Sequence, residues 1–194
     1  MSTYETREQW LNAATLQLRD MFKQHGHALP MNVKATCGFP SRGALSARKR
    51  TVGQCWDTTQ SEAKVFETFV SPVLADSTEV LAVLAHEMVH ATVGLKCGHK
   101  KPFKQCATEI GLEGKMTATT PGDTFKQFAA DVVKEIGQYP HGALNPALKL
   151  VKQSTRLIKC ECDECGYTVR AARSWLESAG APICPLDNQP MTFE

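Results

Sequence analysis

No stretch of this 194-residue sequence approaches the roughly 18 uninterrupted apolar residues that a membrane-spanning helix needs. Its start, from Met1 to Glu8, lacks the basic-then-apolar pattern of a secretory leader. Net charge is small: 22 Lys and Arg against 20 Asp and Glu leave +2, which by itself makes no strong field for nucleic acid. There is no internal repeat and no low-complexity segment. Hydrophobic residues make up 42% and charged residues 22%, which excludes a disordered or collagenous chain. The length suits one well-packed domain with a small appendage. Cysteine is the exception, with eight residues: Cys37, Cys55, Cys97, Cys106, Cys160, Cys162, Cys165 and Cys184. Without a leader the expected compartment is the reducing cytoplasm, where clustered cysteines point to metal before disulfides.

Trp10, Leu11, Ala14, Leu18, Met21 and Phe22 recur at helical spacing, which predicts an amphipathic helix over residues 4–24. Three short extended segments follow, at residues 30–37, 51–56 and 65–70; their short connections predict an antiparallel sheet. A basic loop, residues 41–50, joins the first two. Asp76 and Glu79 then provide the capping signals of a second helix. Its apolar run, Val80, Leu81, Val83, Leu84, Met88 and Val89, leaves little polar surface, so this helix is expected to be buried. Gly94 is its expected end. Pro102 suits the first turn of a third helix carrying Phe103, Cys106 and Ile110, and a fourth is expected over residues 124–136.

The second helix carries His86-Glu87-Met88-Val89-His90. Positions i and i+4 stack on one helix face, so two imidazoles can reach one ion. Two His ligands leave zinc room for a third ligand and a water. Glu87 stands where its carboxylate can take a proton from that water, acting as general base. The chemistry this pattern implies is peptide hydrolysis by direct attack of water, with no acyl-enzyme. Without a metal, the motif would bury three polar groups to no purpose, at substantial cost. Spacing leaves the third ligand open. The position six residues after His90 is Lys96, which cannot serve; Glu109, Glu113 and His99 are the candidates, the last reached by a turn in which Gly98 permits close backbone approach.

The run from His86 to Phe103, a His-Glu-x-x-His helix followed by Gly98-His99 and then Phe103, resembles the SprT-like (Spartan-type) zinc metallopeptidases. The resemblance implies that His99 is the third ligand, since the family's third ligand is a His in this kind of Gly-His turn. It extends more loosely upstream, through a helix, a small sheet and Phe69-Val70-Ser71-Pro72, and downstream to the Cys-rich end, where many members carry a zinc ribbon. It implies zinc, a small zincin-like protease core and proteolysis. The best-known members degrade proteins crosslinked to DNA, so DNA-associated proteins become candidate substrates.

Near the C-terminus, Cys162-Asp163-Glu164-Cys165-Gly166 reads as a zinc knuckle, and Cys184-Pro185-Leu186-Asp187 follows after eighteen residues. This is the paired Cys-x2-Cys ribbon pattern with Asp in place of its last Cys. Asp187 can complete a structural zinc site with Cys162, Cys165 and Cys184; Cys160 is the rival fourth ligand, and a degenerate ribbon is the third alternative. So short a module has little core beyond Ile158, Tyr167, Val169, Trp175 and Leu176, and needs its metal to fold. Residues 151–194 hold five basic and six acidic residues, net −1, a poor footprint for phosphate. Residues 1–150, with seventeen basic and fourteen acidic, net +3, are better suited. Arg42, Arg48, Lys49 and Arg50, with Lys100, Lys101 and Lys104 near His99, are the candidate DNA contacts. Cys37, Cys55, Cys97 and Cys106 lack ligand spacing and read as small buried hydrophobes. Tyr139 and His141 are candidate oxyanion donors by residue type alone.

The expected organisation is therefore an α+β metallopeptidase domain over residues 1–145, a linker over 146–156 and a ribbon over 157–194. One zinc would be catalytic and one structural. The competing reading is a non-enzymatic zinc adaptor for DNA or a transcription complex; a hydrolase acting on another amide is a third.

Overall fold

The computed structural model describes residues 4–46, 48–146 and 156–193, which is mixed α+β throughout. The chain divides into two compact units, Met1–Pro146 and Ala147–Glu194. Most of the expected linker, residues 147–155, lies outside the described residues. No helix among the described residues is long and apolar enough to cross a membrane.

In the first unit, α1 (Arg7–Gln24) starts on a reciprocal cap. Thr6 Oγ1 accepts from the Gln9 backbone N–H at 3.2 Å, and Gln9 Oε1 accepts from that of Thr6 at 3.1 Å. The helix buries Trp10, Leu11, Ala14, Leu18, Met21 and Phe22, the set its periodicity predicts.

Strands β1 (Val33–Cys37), β2 (Gly53–Trp56) and β3 (Phe66–Val70) form a sheet in the order β1-β3-β2. The expectation of an antiparallel sheet holds for β2 and β3 but fails for β1 and β3, which run parallel. The long 38–52 connection carries the chain past the central position, and β3 then returns into the gap beside both earlier strands. A parallel pair needs such a crossover, and the basic loop provides it. Gly53 and Cys55 face the helices, whereas Gln54, Trp56 and Phe69 lie on the open face, where they line a shallow cavity with Phe39.

Helix α2 (Ser77–Val93) crosses the inner face of the sheet, with Val80, Leu81, Leu84, Ala85, Met88 and Val89 buried. Asp76 Oδ1 accepts from the Glu79 backbone N–H at 2.9 Å, and the helix ends at Gly94, whose φ of 84° suits a residue without Cβ. A short 3-10 turn, Leu95–Cys97, leads to α3 (Lys101–Glu109), with Pro102 in its first turn. A hairpin of β4 (Leu112–Lys115) and β5 (Ala118–Pro121) precedes α4 (Asp123–Ile136). Nothing in the apolar pattern announces that hairpin, because Leu112 is its only buried hydrophobic residue.

The second unit has β6 (Leu157–Glu161), β7 (Thr168–Ala172), α5 (Arg173–Ala179) and β8 (Thr192–Phe193), with strand order β7-β6-β8. Its core is Cys160, Cys162, Leu176, Cys184 and Met191, with Ile158 and Val169 packed at the edge. The expected core positions Tyr167 and Trp175 are instead exposed, Trp175 by 69%. Among the described residues this core has five buried side chains, three of them cysteines, too few to stabilise a fold without a cross-link or metal.

Candidate metal centre

Two groups of side chains are arranged so that each can hold a metal ion: His86, His90 and His99 in the first unit, and Cys162, Cys165, Cys184 and Asp187 in the second. Helical geometry places the first two imidazoles on one face of α2, with ring centroids 5.3 Å apart. The third comes from the turn after Gly94, where Gly98 adopts φ 53° and ψ −132°, a conformation strained for any side chain. His99 Nε2 thereby lies 3.2 Å from both His86 Nε2 and His90 Nε2. Zinc with Zn–N bonds of about 2.0–2.1 Å in tetrahedral geometry would set its nitrogens about 3.3 Å apart. Phe103 of α3, fully buried, supports all three rings, with centroids 4.8, 4.5 and 4.7 Å from those of His86, His90 and His99. Burial pushes His86 down to about 3 and His90 to about 4, and lowers His99 as well, so the trio is neutral at physiological pH. Three neutral imidazoles with converging nitrogens fit a cation, and no fourth side chain joins them among the described residues.

Glu87 is not one of the converging ligands. One residue on from His86, it turns towards β2 and is only 6% exposed. Burial raises its carboxyl to about 8, opposed in part by a hydrogen bond from the Cys55 backbone N–H. A dication nearby would draw that value down again by favouring the carboxylate. The carboxyl fits because position 53 has no side chain: a Cβ there would collide with Glu87 Oε1 and come within 2.7 Å of Val83 Cγ1. Gly53 is thus a requirement of the site that residue pattern did not announce.

His86, Glu87, His90 and His99 line a cleft of about 820 Å³. One wall runs from Arg48 to Cys55, and the other from Lys115 to Thr119 on the hairpin. Of the candidate DNA contacts, Arg48, Lys49 and Arg50 line this cleft, joined by Lys115, which sequence reasoning did not single out. Arg42 lines an adjoining cavity with Thr51, Gln54 and Trp56. Lys100 and Lys101 are exposed at the start of α3, and Lys104 follows on the same helix.

The remaining alternatives are placed away from the trio. Glu109 is bound to His27, Oε2 to Nε2 at 2.7 Å, and the Glu113 carboxylate lies against Gly122; neither joins the three histidines. Tyr139 is buried edge-on against Trp10, centroids 5.1 Å apart, and His141 Nε2 lies 3.0 Å from the Glu5 carbonyl. Neither lines the cleft, so neither is positioned as an oxyanion donor. Among the four unclustered cysteines only Cys106 is buried; Cys37, Cys55 and Cys97 are half-buried, because they flank loops and a strand edge rather than the helical core.

In the second unit the four ligand atoms again lie within 4.8 Å of one another. Cys165 Sγ to Cys184 Sγ is 3.6 Å, Cys162 Sγ to Asp187 Oδ2 is 3.2 Å, and Cys184 Sγ to Asp187 Oδ2 is 3.4 Å. With Zn–S bonds near 2.3 Å, tetrahedral sulfurs would stand about 3.8 Å apart. The backbone explains why Asp187 belongs to the set. Gly166 N–H donates to the Cys162 carbonyl and Cys162 N–H to that of Tyr167, both at 2.9 Å. Asn188 N–H donates to the Cys184 carbonyl at 2.9 Å and Cys184 N–H to that of Gln189 at 2.8 Å. The two turns are therefore equivalent, with Gly166 (φ 72°) and Asn188 (φ 54°) as matching left-handed residues. Asp187 occupies the place of Cys165. Cys160 does not join the four; its Sγ lies 3.9 Å from the Ile158 carbonyl. The surrounding thiols, Cys165 first and then Cys162, hold the Asp187 carboxyl below its ordinary range.

If Asp187 is a ligand, Asp187→Ala should weaken zinc retention by the second unit more than about tenfold, whereas Asp187→Cys should tighten it by completing a four-thiolate set. Chelator competition on the full chain checks this. Equal retention in all three proteins would remove Asp187 from the site.

Compared with family models, with curated proteins and with solved structures, the chain finds no match in any of the three.

Proposed function

We propose that this chain is a zinc-dependent metallopeptidase of the SprT-like type, with a zincin-like core in its first unit and a zinc ribbon in its second. The observation that carries the reading is the contrast between the two ligand groups. Four side chains converge in the second unit, the number a closed structural zinc uses. Three converge in the first, on the wall of a cleft, with a buried carboxyl one residue away. Three ligands and an open position are the arrangement of hydrolytic zinc.

In this reading His86, His90 and His99 hold the metal through Nε2. Bound there, zinc would polarise a scissile carbonyl and lower the pKa of a water. Glu87 accepts a proton from the attacking water and delivers it to the departing amine, its buried position keeping the carboxyl away from bulk solvent. Gly53 holds that carboxyl in place by leaving it room. The edge strand β2 and the β4–β5 hairpin confine an extended polypeptide across the trio. The adaptor reading needs a closed site at the trio, and the open side of the three histidines favours hydrolysis.

The reading extends to cytoplasmic proteins associated with DNA. Arg48, Lys49, Arg50 and Lys115 on the cleft walls would meet phosphates where a bound protein substrate lies, through an attraction that salt screens. Cleavage of an unstructured protein by the zinc-loaded chain, with and without DNA, tests this. Stimulation by DNA at low salt that fades at high salt is expected. Cleavage unaffected by DNA at any salt would remove the DNA-linked part and leave the peptidase.

A further inference from the structure

The two nitrogens of each metal-facing imidazole have separate tasks, and the second nitrogen is treated differently in His86 and His90. His86 Nδ1 lies 2.8 Å from Thr119 Oγ1. His90 Nδ1 is buried without a hydrogen-bond partner among the described residues. We propose that Thr119 is a positioning residue for the metal: its hydroxyl accepts the proton of His86 Nδ1 and so keeps the lone pair on Nε2, aimed at the ion. This rests on reading the histidine trio as a metal site.

A neutral imidazole carries one proton, on Nδ1 or on Nε2, and only the unprotonated nitrogen can bind a metal. His86 Nε2 is the atom that converges with His99 Nε2, so its proton must sit on Nδ1. A donor so enclosed requires an acceptor, and the hydroxyl of Thr119 is in range and correctly placed. The same bond fixes the ring about its Cβ–Cγ axis and makes Nε2 more basic, as acceptors behind metal-bound histidines do.

The hairpin exists in a form that delivers this hydroxyl. Thr119 pairs with Gly114 across the two strands, and it turns inward while Ala118 and Thr120 face solvent. A two-stranded hairpin is marginal alone; here β5 packs on α2, the helix that carries His86. The segment between α3 and α4 therefore forms one wall of the cleft and supports a ligand at the same time. His90 Nδ1 has no such partner among the described residues, and its ring packs tilted against Phe103, centroids 4.5 Å apart. Of the two ligands on α2, His86 is thus the one whose tautomer a hydrogen bond sets.

The test compares full-length wild type, Thr119→Ser and Thr119→Val. Val keeps the shape and removes the hydroxyl; Ser keeps the hydroxyl. Zinc affinity is measured by chelator competition, and the C-terminal site, common to all three, cancels from the comparison. Thr119→Val is expected to bind zinc about 10- to 100-fold more weakly, and Thr119→Ser within about threefold of wild type. In metal-free protein, long-range proton–nitrogen NMR should place the His86 proton on Nδ1 in wild type and Ser, and distribute it over both nitrogens in Val. Thr119→Val leaves an enclosed N–H without its acceptor, so its metal-free chain is expected to melt a few degrees below wild type, with Thr119→Ser close to wild type. Equal zinc affinity in Val and wild type, an equal loss in Ser and Val, or an unchanged His86 tautomer in Val would overturn the assignment. A wild-type chain that takes up no metal at the trio would overturn the metal reading as well, which separates the two failures.

Discussion

Glu87→Gln is expected to keep two zinc ions per chain while losing roughly a thousandfold or more of its cleavage rate, the range a general base supplies. Gln preserves the size of the side chain and the hydrogen bond from the Cys55 backbone, but it cannot take a proton. Metal analysis and cleavage measured on one preparation check both halves. A variant that cleaves at the wild-type rate would remove Glu87 from the mechanism.

The same substitution has a consequence for the metal-free chain. Burial raises Glu87 to about 8 from its ordinary 4.5, so in that window the folded chain holds a proton that the unfolded chain releases. The contribution to stability is present in full below about 4.5 and is lost as pH rises through about 8. His86 and His90 act in the opposite sense: burial lowers them to about 3 and about 4 from 6.5, and stability is lost as pH falls below the ordinary histidine range. Metal-free wild type should therefore lose stability at both ends. Metal-free Glu87→Gln should keep the acid loss but not the alkaline one, melting several degrees above wild type near pH 9. Melting curves from pH 5 to 9 in chelator measure this; parallel alkaline losses in both proteins would show that Glu87 is not held neutral.

His99→Ala should reduce zinc from two ions to one and abolish cleavage. His86 and His90 alone offer two nitrogens, too few to hold zinc against water and chelator, whereas the Cys162, Cys165, Cys184 and Asp187 set is in the other unit and unaffected. His99 sits at the end of a turn, outside the packed core, so its loss should cost little stability. Retention of two tightly held zinc ions would assign the third ligand to another residue.

What could be read from the sequence, and what could not, follows from how local each signal is. The i, i+4 spacing of His86 and His90 is a property of one helix, and the caps at Asp76 and Gly94 sit beside the residues they act on. Leu81, Met88 and their neighbours are buried as their pattern demands. His99 was one candidate among three, because a turn with Gly at both Gly94 and Gly98 can lead in several directions; its convergence depends on two glycine conformations that spacing does not encode. The parallel pairing of β1 and β3 depends on where a long loop lands, which a strand pattern does not specify. Gly53 and Thr119 are site residues only through contacts with distant parts of the chain, so no local pattern marks them, whereas Phe103 closes the run that begins at His86 and packs on all three rings. Asp187 was legible in part. Asn188, a residue tolerant of left-handed backbone, stands where Gly166 stands in the first turn, a match that supports Asp187 over its rival Cys160.

Whether the histidine trio holds a hydrolytic zinc is decided by cleavage of an unstructured protein by the two-zinc chain, followed by chelation and then by restored zinc. Cleavage is expected to stop when metal is removed and to return with about one equivalent of zinc at the trio. A chain whose trio is filled with zinc, yet which leaves unstructured protein intact with and without DNA, would contradict the hydrolytic reading.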